Sequence, residues 1–79
     1  MWLNFVEAIA LYRAFSVGRF KCSGTTPKII VADYQGEGYV LKIKKVSTKT
    51  ICLECIKEFS KKRGLIVTED KAYMTIQSS

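Results

Sequence analysis

Cys52 and Cys55, in the tetrapeptide Cys-Leu-Glu-Cys, are the side chains of this sequence best suited to chemistry. Two thiols at that spacing can exchange a disulfide, donate to a soft metal, or pack as small apolar groups. A structural zinc site needs four good ligands. The chain has three cysteines and no histidine, so only Cys22 could join the pair, and neither a metal nor another cofactor is expected. The absence of histidine also removes the usual general base near neutral pH. The remaining acids sit in turn-like sequence, Asp33 and Glu37 around one turn and Glu69-Asp70 in another, where carboxylates are solvated. A non-enzymatic role follows as the expectation.

The element that carries the thiols sharpens the choice. Cys52, Cys55, Ile56 and Phe59 fall at i, i+3, i+4 and i+7, the inner stripe of a helix laid on a sheet, which places both sulfurs inward. The alternative is a thiol site of Cys52, Cys55 or Cys22. With Thr50 as the cap, Cys52 would lie in the first helical turn, where the helix dipole and Lys49 lower a thiol pKa.

A second grouping is electrostatic. Thirteen Lys/Arg against seven Asp/Glu give a net charge of +6, which attracts phosphates through counterion release. Lys57, Lys61, Lys62 and Arg63 share the second helix with Glu54 and Glu58 at pairing distances, so that helix reads as a salt-bridged solvent face. Lys42, Lys44, Lys45 and Lys49 are less neutralised, and Tyr34, Tyr39 or Tyr73 beside them could stack bases. DNA or RNA is therefore the partner class this grouping suggests, with Lys42, Lys44, Lys45, Lys49, Tyr39 and Tyr34 as its contact set.

These side chains must be positioned by six elements. Asn4 and Glu7 form a capping box that starts a helix running to about Ser16, with Gly18 as a stop. This helix is apolar nearly all round. Phe5, Ile9 and Tyr12 form one stripe that can pack on a sheet, which leaves Ala8, Leu11 and Phe15 as a second stripe for a homodimer or another protein partner. Arg19 to Pro27 reads as a loop, or as a loop with a short extended piece at Arg19-Phe20-Lys21-Cys22. Ile29-Ile30-Val31 marks a strand, Gln35-Gly36-Glu37-Gly38 a turn, and Tyr39 to Lys45 a return strand with Tyr39, Leu41 and Ile43 on one face. Ser47, Thr48 or Thr50 can cap the second helix, which Gly64 ends with Leu65 folding back. Leu65 to Ile76 reads as a second hairpin around Glu69-Asp70, with Ala72, Met74 and Ile76 on one face.

The order α-β-β-α-β-β predicts an α+β two-layer sandwich: a four-stranded, largely antiparallel sheet with two helices on one face. Its 79 residues make a single small domain, near the lower size limit for a core without staples. The apolar run from Met1 to Tyr12 is interrupted by Asn4 and Glu7 and falls short of the ~20 residues a membrane span requires. No membrane partner is expected, and an odd cysteine count fits a reducing, cytoplasmic setting.

Residues 39–77 resemble the C-terminal half of TusA/SirA-like sulfur-carrier domains. The likeness lies in a strand, Tyr39-Val40-Leu41-Lys42-Ile43, then a helix from Cys52 to Gly64, then the hairpin from Leu65 to Ile76. That resemblance implies a thiol-dependent sulfur or redox carrier. The family's Cys-Pro-x-Pro element is missing, since the chain's one proline is Pro27, and a thiol such as Cys22 could substitute.

Overall fold

The computed structural model describes residues 2–16 and 27–78. Gly18, the extended piece at Arg19–Cys22 and most of the turn cluster before Pro27 lie outside the described residues. The elements are α1 (Phe5–Ser16), β1 (Ile29–Asp33), β2 (Tyr39–Lys44), a 3₁₀ turn (Lys45–Ser47), α2 (Thr50–Lys62), β3 (Ile66–Glu69) and β4 (Tyr73–Gln77). All strand pairings are antiparallel and the sheet order is β1-β2-β4-β3. The fold is the expected α+β sandwich, and the strand order is what local sequence left open.

Local signals set most boundaries. The Glu7 amide donates to Asn4 Oδ1 at 2.8 Å and the Asn4 amide to Glu7 Oε1 at 3.4 Å, the reciprocal bonds of a capping box. At the end of α2 the Gly64 amide bonds the Lys61 carbonyl and the Leu65 amide bonds the Ser60 carbonyl, with Gly64 at φ 74°. This is a Schellman stop, and it satisfies two orphan carbonyls. The first hairpin turns at Gln35 and Gly36, both at positive φ (54° and 76°), which suits the right-handed strand twist. The start of α2 differs from expectation. Its N-cap is Lys49, which makes no side-chain cap bond, while Thr48 instead donates to the Lys44 carbonyl at 2.8 Å.

Both helices cover one sheet face. The core joins Leu3, Ala8, Leu11 and Phe15 to Leu53 and Ile56 over Leu41, Ile43, Met74 and Ile76. Each such Leu, Ile, Met or Phe side chain contributes roughly 1.5–3 kcal/mol by leaving water, whereas an exposed ion pair contributes about 0–1 kcal/mol. The core, not the surface lattice of charges, holds the fold.

Two expectations about helix faces are corrected. Ala8, Leu11 and Phe15, assigned to a dimer interface, are the buried side of α1 (0%, 8% and 1% exposed). Phe5, Val6 and Tyr12 point outward. In α2 the inner residues are Cys52, Leu53, Ile56 and Ser60, and Cys55 is exposed. The rotation follows from Phe59, which turns toward α1 and meets the Phe15 ring edge-on at 5.5 Å instead of pressing on the sheet.

Candidate nucleic-acid interface

The sheet face away from the helices is set by register alone. In β2, Leu41 and Ile43 point to the core, so Val40, Lys42 and Lys44 point to the opposite side. Cross-strand pairing then defines three rows. The first is Lys28, Lys44, Tyr73: the Lys44 amide donates to the Lys28 carbonyl at 3.0 Å, and Lys44 pairs with Tyr73. The second is Ile30, Lys42, Thr75, Thr68. The third runs through Ala32 and Val40 toward Gln77 and Ile66, and there Val40 is only 2% exposed, so the face is open at the Lys28–Lys42–Lys44 end and covered at this one. Asp70 continues the first row beyond Tyr73, its amide donating to the Tyr73 carbonyl at 2.9 Å, so one carboxylate stands at the hairpin end of this face. Among the described residues, no helix lies over this face.

The face is polarised. At one end Lys28 stands opposite Lys44, a like-charge pair that costs stability. The Lys42 ammonium lies 5.9 Å from the centre of the Tyr73 ring. Asp70 accepts from the Tyr73 and Ala72 amides at 2.7 and 2.8 Å, which hold its carboxyl below the usual range, and the charge of Lys42 acts in the same direction. At the other end Trp2 stacks on Tyr34 with ring centres 4.0 Å apart, and its indole donates to Glu37 at 3.1 Å. Leu3 bonds both ways with Tyr39 at 2.9 and 2.8 Å, which anchors Trp2 against Gly38.

The structure divides the expected contact set. Lys42 and Lys44 share the open face. Lys45 is committed to the second hairpin, with its ammonium 3.0 Å from the Asp70 carbonyl and 3.8 Å from Glu69. Lys49 is at the start of α2, in the helix layer. Tyr39 faces the helix layer too, against the edge of Phe5. Tyr34 is on the open side but is stacked on Trp2, away from the lysines. Lys28, Tyr73, Thr75 and Trp2 complete the surface. Lys28 was legible in principle: with the turn at Gln35–Gly38, paired positions sum to a constant, as Ile29 with Ile43, which brings Lys28 beside Lys44.

The thiols do not converge. Cys52 is 1% exposed inside the core, Cys55 is exposed on α2, and Cys22 lies outside the described residues. Among the described residues no cluster of three His, Cys, Asp or Glu side chains is placed to hold a metal. No described helix is long and apolar enough to cross a membrane. A groove of about 530 Å³ runs between α1 and the end of α2, lined by Ala10, Leu11, Ala14, Phe59 and Leu65 together with Glu7 and Arg63.

The chain matches no family model, no curated protein and no solved structure.

Proposed function

We propose that this protein is a small binding module that takes single-stranded nucleic acid on the open sheet face. The observation that carries the reading is the grouping of Lys28, Lys42 and Lys44 around Tyr73, three cations against the single carboxylate of Asp70. Three cations neutralise phosphates. Tyr73, and the Trp2–Tyr34 stack at the far end, offer aromatic surface for unpaired bases. The cross-strand placement of Lys28 opposite Lys44 supports the reading, because an anion bound between two like charges offsets their repulsion.

A sheet face with upright side chains suits splayed bases better than a closed duplex, whose bases are stacked away from such rings. The chain's one tryptophan sits on this face and serves as an internal reporter. Titration with a short oligothymidylate should quench Trp2 fluorescence, with affinity falling steeply from low to moderate salt. Charge reversal at Lys42 and Lys44 together should abolish the signal. Unchanged binding in that variant rejects the surface, and equal affinity for a duplex of the same length rejects the single-strand assignment.

A further inference from the structure

The side of the molecule formed by β1 and the outer flank of α1 is distinct from the rest of the surface. β1 exchanges hydrogen bonds with β2 through alternate residues, as the Tyr34 amide to Gly38 and the Lys44 amide to Lys28 show. The N–H and C=O groups of Ile29, Val31 and Asp33 therefore point off the sheet edge. Among the described residues these groups meet no partner. Exposed edges are ordinarily blunted by lysine, proline or a bulge. Ile29–Asp33 contains neither residue, and its register with β2 runs without a bulge. The opposite edge, β3, is different: its Glu69 is bound by Lys57 and Lys45.

The helix above repeats the pattern. α1 packs over β1 and β2, and α2 contacts β3. Helical spacing puts Glu7, Leu11 and Ala14 on the flank that faces α2 across the groove. Phe5, Ile9 and Tyr12 lie on the other flank, over the β1 edge, where Phe5 is 58% and Tyr12 37% exposed. Unpaired strand edge and uncovered apolar stripe thus lie on one side. Charge adds a third mark. Of thirteen Lys/Arg in a +6 chain, α1 and β1 hold one, Arg13. Few like charges on these two elements oppose the approach of a second copy.

We infer that this side joins a second copy of the same chain, β1 to β1 across a two-fold axis. The sequence is self-complementary in that register. An axis at Val31 sets Val31 against Val31 of the second copy, Ile29 against Asp33, and Ile30 against Ala32. It also sets Lys28 of each copy against Tyr34 of the other, so the basic end of one face meets the aromatic end of its neighbour and no two lysines oppose. The helix layer fits the same axis. A helix lying between β1 and β2 stands about 5 Å from the dyad, so two copies come to about 10 Å, the ordinary packing distance for helices. The two Phe5-Ile9-Tyr12 stripes then cover each other, and eight strands form one sheet.

Sedimentation of the full chain without nucleic acid tests this. The expected mass is twice the 8.9 kDa of one chain at micromolar concentration. Tyr12→Glu, at an exposed position, should raise the dimer dissociation constant at least tenfold with an unchanged circular-dichroism spectrum. Val46→Glu, on the remote 3₁₀ turn, should leave it unaltered. Amide exchange at Ile29, Val31 and Asp33 should slow as concentration rises. A monomer at all concentrations overturns the inference. So does a dimer that ignores Tyr12→Glu while those three amides exchange freely.

Discussion

Lys57 of α2 reaches Glu69 of β3 at 3.1 Å, so one ion pair ties the second helix to the second hairpin. Glu54 shares the same ammonium at 3.4 Å, and Lys45 approaches Glu69 from the 3₁₀ turn at 3.8 Å. The hydrogen bond from Lys57 is the chief cause holding the Glu69 carboxyl below its ordinary 4.5, and the same bond raises the Lys57 ammonium above its ordinary 10.5.

The direction of the pH response follows. Glu69 and Asp70 both titrate lower in the fold than in the unfolded chain, so their stabilisation is present above the ordinary carboxylate range and fades as pH falls through the folded values. Lys57 works in the opposite sense: its contribution is complete below 10.5 and is lost as pH rises beyond it. Thermal unfolding midpoints should be flat from pH 6 to 9 and decline below about pH 4.5, the unfolded carboxylate value. Glu69→Gln should shallow the acid limb and flatten the alkaline one.

Ser60 is fully buried on α2 and its hydroxyl has no hydrogen-bond partner among the described residues. Leaving such a group unpaired costs roughly 1–3 kcal/mol. Ser60→Ala should therefore match or exceed the wild type in urea stability, by up to about 1 kcal/mol. A loss of that size would show a bond the hydroxyl makes in solution.

Gly38, at φ 155°, combines crowding with backbone strain, whereas Gly64 carries strain alone. A methyl group on Gly38 would overlap the Trp2 Cβ and come within 3.0 Å of the Leu3 carbonyl. Gly38→Ala should cost about 1–3 kcal/mol, as overpacking does, and red-shift Trp2 fluorescence. Gly64 has open space but φ 74°, so Gly64→Ala should cost about 1 kcal/mol with no change in emission.

The thiols should label unequally. Cys55 should react with an alkylating reagent at the rate of an exposed thiol, while Cys52 waits for unfolding. Cys55→Ser should fall within about 0.5 kcal/mol of wild type, as surface changes do. Cys52→Ser buries a new hydroxyl and should cost about 1–3 kcal/mol.

If three lysines contact phosphates, the logarithmic salt slope for single strands should be about −2. Lys28→Ala should reduce it by about 0.7, the share of one contact. Lys49→Ala, in the helix layer, should leave it unchanged. Fluorescence titration across salt concentrations reads both.

Element order was legible because punctuation and period agreed: the Asn4–Glu7 box, Gly36, the alternation from Tyr39 to Lys44, and Gly64 each point to one local state. Helix faces were not. α1 is apolar on nearly every side, so periodicity does not choose between Phe5-Ile9-Tyr12 and Ala8-Leu11-Phe15; packing of Phe15 against Phe59 does. In α2 the same contact rotates the helix, which draws in Leu53 and Ser60 and releases Cys55. The candidate site shared this limit. Lys42 and Lys44 were found from alternation within one strand, while Lys28 and Trp2 required pairing between segments far apart in the chain.

The clasp between Leu3 and Tyr39 has a mechanical consequence. Two backbone bonds fasten the leading segment to the central strand β2, and the Trp2–Glu37 bond beside them spans 35 positions. Tension applied at the leading end would load this small fastening before it reached any strand of the sheet. The first yielding event under force is therefore release of the tryptophan, with the four-stranded body still intact.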